Sequence, residues 1–331
     1  MKIVVLDGFT VAQTDLTWSQ LDALADVEVY ERTSPEDVVE RCRGAEMVLT
    51  NKVILDAEVL NQLPRLMYIG VLATGYNVVD LEAASRQSIT VTNIPAYSTQ
   101  SVAQMVFALL LNVVDKVEYY AASNRNGRWT ESKDFCYLDH NLFELAGKRM
   151  GLVGLGNIGM EVARIASAFG MEIVAFTSKR GELPYGVRSV SMDELFATSD
   201  VVSLHCPLTD DTRHLVNADR LKTMKPSSII VNTGRGPLVH DAELADALNN
   251  DVIAAYAADV LTVEPAEADN PLLKAKNCCL TPHIAWATRE ARQRLMNICV
   301  ENIKASANHY VLRVVLSALT ISTTILPEIQ R

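Results

Sequence analysis

Residues 151–163 read GLVGLGNIGMEVA, and no other stretch of the 331-residue chain limits its fold so tightly. Gly154, Gly156 and Gly159 stand in G-x-G-x-x-G spacing. They follow RMGLV, an apolar run suited to a buried strand, and they open NIGMEVARIASAFG, which is apolar at helical spacing. A strand that turns directly into a helix over such glycines begins a parallel βαβ unit. The first glycine permits the tight turn, the second lets backbone approach a pyrophosphate, and the third lets helix and strand pack closely. The helix start offers unpaired N–H groups and the positive end of a dipole to phosphates. A bare βα turn can use glycines too, but spacing, strand and helix together point to a bound dinucleotide.

The alternation extends in both directions. Before Pro95, KIVVLD, VEVYER, EMVLTN, MYIGVLA and ITVTNI read as strands, with PEDVVERCRG and DAEVLNQL as helices among them. After the glycine loop, EIVAFT, DVVSLHCP, SSIIVNTG, VIAAYAADV and NCCLTPHI read as strands, and DAELADALNN as a helix. SMDELFATSD predicts a further helix, because Ser191 and Glu194 have capping-box spacing. Strands alternating with helices predict an α/β protein with parallel sheets covered on both faces. STQSVAQMVFALLLNVVDKVEYYAASN predicts one long buried helix joining two lobes, too interrupted by polar residues to span a membrane. Residues 124–146 lack a period and predict loops and a short arm carrying Trp129, Phe135 and Tyr137. From Thr288 a returning helix gathers Ala291, Leu295, Ile298, Cys299 and Ile303 on one face. Two domains follow: 1–97 with 289–331, and 98–288 around the glycine loop.

Bulk properties narrow the partners. Hydrophobic residues make up 49% of the chain, enough for a packed core. The formal net charge of -10 argues against a nucleic-acid surface, although a local Arg can still hold a small anion. None of the six cysteines forms a C-x-x-C pair, which argues against a zinc site and for buried, reduced thiols in a cytoplasmic protein. The apolar run in MKIVVLDG is too short for a signal peptide.

Ligands of open parallel sheets sit beyond the carboxyl ends of the strands. Three reactive side chains fall there: Arg235 in NTGRGPLV, Glu264 in LTVEPA and His283 in TPHIAWAT. Hydride transfer to a carbonyl needs a cation to hold the substrate and polarise its oxygen, and an acid to protonate the alkoxide. It also needs a group that keeps the acid charged and oriented. Arg235 suits the first role, His283 the second and Glu264 the third. Singly, each is as easily a solvated or structural residue; their coincidence downstream of the glycine loop makes the set. His140, His205, His214, His240 and His309 are read as structural.

One strand end is unusual. An acid about 20 residues past the glycine loop normally binds the ribose of NAD. IVAFTSKRG places Thr177, Ser178, Lys179 and Arg180 there instead. Lys179 and Arg180 can pair with a 2′-phosphate or be solvated loop cations, so NADP(H) and NAD(H) both stay open.

With these residues in place, the chain resembles the D-isomer-specific 2-hydroxyacid dehydrogenases over about residues 1–305. SDVVSLHCPLTDDTRHLVN, MKPSSIIVNTGRGPLV, AADVLTVEPA and NPLLKAKNCCLTPHIAWATREA carry the likeness with the glycine loop. VLATGYNVVD and HIAWAT are most similar to the glycerate dehydrogenases, or hydroxypyruvate reductases, within that family. The resemblance implies a Rossmann-like nucleotide domain and a flavodoxin-like, discontinuous substrate domain around a cleft. It implies reduction of hydroxypyruvate or glyoxylate to D-glycerate or glycolate, and the reverse. Arg235, Glu264 and His283 match its catalytic set. Asp259 matches the acid that bonds the nicotinamide carboxamide. Thr74 and Gly75 match the loop that holds the substrate carboxylate, together with Arg235 and His283. Asn157 and Ile158 match the pyrophosphate turn, Cys206 and Pro207 the adenosine border, and Thr233 also falls among the cofactor contacts. The Trp129–Tyr137 arm resembles the family's dimer contact, which implies a homodimer. Corepressor relatives that sense the nucleotide without turnover are the alternative.

The chain also departs from the family. Ala258 and Ala285 stand where glycine is common, and NHYVLRVVLSALTISTTILPEIQR adds an apolar, β-branched tail suited to packing on the substrate domain or across a dimer.

Overall fold

The computed structural model describes residues 1–13 and 15–307, so the apolar tail from 308 onward lies outside the described residues. The chain forms two compact units: Met1–Tyr97 with the segment that begins at Ala287, and Ser98–Trp286.

The first unit holds a parallel sheet of β1 (Lys2–Val5), β2 (Asp26–Val29), β3 (Met47–Thr50), β4 (Tyr68–Val71) and β5 (Thr90–Thr92). Their order is β2-β1-β3-β4-β5, the flavodoxin-like arrangement. β3 and β4 are buried throughout, as continuous apolar strands of a doubly covered sheet should be. The edge strand β2 has no fully buried residue and alternates charged with apolar side chains. The returning helix Arg289–Ala307 packs on β4, burying Ala291, Leu295, Cys299 and Ile303. Arg292 anchors it. Its side chain is 10% exposed, and the guanidinium donates to both carboxylate oxygens of Asp15, at 2.8 and 2.6 Å, and to the Val11 and Ala287 carbonyls. At the end of β1, buried Asp7 accepts from the backbone N–H groups of Asn51 and Lys52; burial pushes its carboxyl pKa up, and those bonds oppose the shift.

The second unit holds a parallel sheet of β6 (Arg149–Val153), β7 (Glu172–Phe176), β8 (Arg188–Ser189), β9 (Val201–Leu204), β10 (Ile229–Asn232), β11 (Ala255–Ala258) and β12 (Cys278–Leu280). The order is β12-β11-β10-β9-β6-β7-β8. It reverses between β6 and β9, so the glycine loop after β6 stands at the topological switch point. The register pairs Val153 with Leu204 and Phe176, Asn232 with Leu204 and Ala258, and Ala258 with Leu280. Those pairings bring the carboxyl ends of six strands into line.

Several details differ from the sequence reading. The long helix is two, Thr99–Asp115 and Val117–Arg125, bent by 60° at Lys116, whose φ is +51°. There the Asn112 side chain accepts from the Glu118 N–H, a bond that diverts the backbone from the helical ladder. The first half is buried along Val102, Ala103, Val106, Phe107 and Leu110, while the second has no fully buried residue. Both halves belong to the second unit. Among the described residues no single helix is long and apolar enough to cross a membrane. The capping box is half formed: Ser191 Oγ accepts from Glu194 N at 3.1 Å, but the Glu194 carboxylate pairs with Arg188. Helices Ser19–Asp22, Leu81–Arg86 and Ala218–Lys222 are too short for periodicity to reveal. Cys42 and Cys299 are buried, with thiols pushed up to about 12, whereas Cys136 on the arm is exposed, against the expectation of buried thiols.

Candidate active site

The three glycines meet three different constraints. Gly154 has φ +98°, and a Cβ there would stand 2.7 Å from the His205 carbonyl oxygen. A Cβ on Gly159 would stand 2.3 Å from the Gly154 carbonyl oxygen, so the third glycine sets the close approach of helix and strand. Gly156 is the reverse case: nothing lies within 4 Å of its Cβ position. It is the N-cap of helix Asn157–Ala168, and no side chain caps that end. Open space over an uncapped helix start fits a pyrophosphate. At the end of β10, the Thr233 hydroxyl is buried and has no hydrogen-bond partner among the described residues. A buried orphan hydroxyl of this kind suits a polar group of a bound cofactor. Both observations fit a nicotinamide dinucleotide.

Thr177 follows β7, where its hydroxyl accepts from the Lys179 N–H at 3.2 Å. Lys179 and Arg180 are exposed, and among the described residues no carboxylate pairs with either. Cys206 and Pro207 follow β9; Cys206 is half-buried and burial raises its thiol pKa. His205 directly follows β9. Its ring meets the Ser203 hydroxyl at 2.9 Å, and burial pushes its pKa down to about 4, so it is neutral at pH 7.

The structure joins the Arg, Glu and His segments through short contacts. The imidazole Nδ1 of His283 donates to Glu264 Oε2 at 2.6 Å. Glu264 Oε1 accepts from the Leu261 N–H at 3.1 Å, which fixes the carboxylate to its own loop. That loop lies hard against the Arg235 turn: a Cβ on Gly236 would be 1.9 Å from the Leu261 carbonyl. The Arg235 turn is held from below by Asn232, fully buried, which donates to the Arg235 carbonyl and accepts from the Gly234 N–H, both at 3.0 Å. Arg235 itself is exposed, and its guanidinium also donates to the Gly234 carbonyl. Sequence reasoning passed over Asn232; an amide closing the apolar run SSIIV was the available signal.

Asp259 is 1% exposed, and its carboxylate is mostly occupied by its own unit. Oδ1 accepts from Thr281 Oγ1 at 2.6 Å and from Ile284 N at 2.8 Å, and Oδ2 from Ala285 N at 2.7 Å. It therefore grips the chain on both sides of His283. A carboxylate has about four acceptor sites, so room for one further donor such as a carboxamide remains. Thr74 and Gly75 lie in the first unit, after β4, where Thr74 donates to the Ile94 carbonyl and accepts from the Asn93 side chain.

Known proteins agree with this picture. Residues 107–285 match the family model described as "D-isomer specific 2-hydroxyacid dehydrogenase, NAD binding domain". A hydroxypyruvate reductase of Blautia hydrogenotrophica is 45% identical over 309 residues, covering 92% of this chain and 96% of its own. A glycerate dehydrogenase of Methylorubrum extorquens is 40% identical over 307 residues, covering 92% and 95%. The structure of an acyclic imino acid reductase in complex with NADPH and D-Arg superposes with a TM-score of 0.84 at 31% identity, covering 96% of this chain and 100% of that one. The dinucleotide turn, the strand-end Arg, Glu and His, and these likenesses lead to one assignment: the chain belongs to the D-isomer-specific 2-hydroxyacid dehydrogenases and is an NAD(P)(H)-dependent oxidoreductase.

Proposed function

We propose that the protein reduces hydroxypyruvate, and glyoxylate as a second substrate, to the D-2-hydroxy acid, and runs the reverse oxidation. The carrying observation is the 2.6 Å contact between His283 Nδ1 and Glu264 Oε2. It fixes the imidazole tautomer and leaves Nε2 as the nitrogen that exchanges a proton. The nicotinamide, when bound, supplies or takes up the hydride. Arg235 holds the keto acid and polarises its carbonyl, and His283 gives a proton to the developing alkoxide. In oxidation His283 takes that proton back. The Thr74–Gly75 backbone holds the substrate carboxylate. Gly154, Gly156, Asn157, Ile158 and Gly159 hold the pyrophosphate; Cys206, Pro207, Thr233 and Asp259 line the rest of the nucleotide site. The unpaired cations Lys179 and Arg180, with no acid at Thr177, support NADPH over NADH. The intact Arg–Glu–His set supports turnover over nucleotide sensing alone.

A homodimer is part of the same reading. Trp129, Phe135 and Leu138 are exposed by 55%, 89% and 76%, a costly display for an isolated subunit. The experiment is a keto-acid panel with NADPH and NADH on the native protein and on His283→Ala. The variant should lose activity by orders of magnitude while nucleotide still quenches protein fluorescence. Full activity in it would remove the assignment of the acid.

A further inference from the structure

We propose that Trp286 is a positioning residue for His283, acting through the backbone of the turn that carries the imidazole. The inference rests on His283 being the acid–base group. His283 has φ +55°, a left-handed conformation that bulky side chains adopt only when their surroundings impose it. Histidine enters that region more often than most non-glycine residues, but the region is still a minor one for it, so the turn needs bonds that hold it there.

Three sets of bonds impose it. The His283 N–H donates to the Thr281 carbonyl at 3.0 Å. Asp259 takes the next two N–H groups, of Ile284 and Ala285. The indole Nε1 of Trp286 donates to the His283 carbonyl at 2.9 Å and so closes the turn. The direction of a carbonyl is set by ψ, and in the left-handed region φ and ψ are tightly coupled by sterics. Holding the His283 carbonyl therefore holds the Cα–Cβ bond, and with it the direction of the imidazole toward Glu264. Released from the indole, His283 can relax toward the ordinary right-handed or extended regions, which swings the ring off the carboxylate. A Phe at 286 fills most of the same volume but has no donor.

The test is Trp286→Phe in the full chain, alone and in a Glu264→Ala background, assayed with hydroxypyruvate at saturating NADPH or NADH. Loss of one such bond should lower kcat about fivefold to tenfold. The KM and direct binding of the nucleotide, and the melting temperature, should stay near those of the native protein. In the Glu264→Ala background the same substitution should change kcat by less than about twofold, because the orientation it protects is already lost. An unchanged kcat overturns the inference. So does the same fold-loss in both backgrounds, which is the mark of a merely structural effect. Activity retained by His283→Ala would instead remove the underlying reading of the site, so the two failures are told apart.

Discussion

Gly236→Ala is the most informative single change to the Arg–Glu–His constellation. The added methyl carbon would stand 1.9 Å from both the carbon and the oxygen of the Leu261 carbonyl and 2.4 Å from Thr262 N. Ordinary van der Waals contact begins near 3.4 Å, so one of the two loops must retreat by about 1.5 Å (3.4 less 1.9). Every atom in the clash is backbone, and no rotamer change relieves it. The retreat falls on residues that matter: Arg235 is the preceding residue, and Leu261 N carries Glu264 Oε1. Overpacking of this kind costs about 1–3 kcal/mol of stability. Misplacement by about 1 Å at a reacting centre can cost about a hundredfold in rate. We expect kcat/KM for hydroxypyruvate to fall about a hundredfold or more, equivalent to about 3 kcal/mol. Nucleotide binding, which uses the turn after β6, should hold. Gly234→Ala is the control, since its Cβ comes no nearer than 3.3 Å to any atom and should cost much less. Steady-state kinetics, fluorescence quenching by NADPH and thermal unfolding together decide the matter. A Gly236→Ala enzyme within about threefold of native kcat/KM would refute the claim that this close approach sets the geometry.

Gly156→Ala adds a methyl to empty space, so the melting temperature should not move, whereas NADPH and NADH titrations should both show weakened binding. Arg180→Ala should raise the KM for NADPH much more than that for NADH; equal effects would remove the argument for a phosphate contact. Stability should also fall in mild acid through His205. Its folded pKa of about 4 lies below the ordinary value of 6.5, so between these limits the unfolded chain binds the proton and the folded chain does not. The contribution is complete above about pH 6.5 and is lost as pH falls toward 4, at most about 3 kcal/mol, and His205→Asn should flatten that part of a urea-midpoint profile.

Much of the architecture was legible because parallel strands buried on both faces read as short apolar runs. KIVVLD, EMVLTN and SSIIVNTG announced β1, β3 and β10 in that way. Helices that bury one stripe were legible as well, as in Ala291, Leu295 and Cys299 of the returning helix. The break at Lys116 was not, since a side-chain amide diverts the backbone there while the apolar pattern runs on. Within the site, Arg235, Glu264 and His283 were visible as reactive groups at strand ends. The roles of Asn232 and Trp286 were not, because both act on backbone carbonyls, and a sequence carries no sign of which carbonyl a side chain will reach. Asp259 was visible as an acid but not as the clamp on residues 281–285.

The bond from Arg292 to Asp15 ties residues 277 positions apart, and the first unit closes only with the helix Arg289–Ala307. On the ribosome, Met1–Tyr97 emerges first but is left without that helix while all of Ser98–Trp286 is made. At ordinary elongation speeds the wait is on the order of tens of seconds. During it the β4 face that the helix covers stays open to water and to chaperones, whereas the contiguous second unit can complete itself as it appears. Synthesis from the N-terminus thus finishes the second-made unit first. A circular permutant that starts near Ala287 would remove the delay and should show less chaperone dependence at the same final stability.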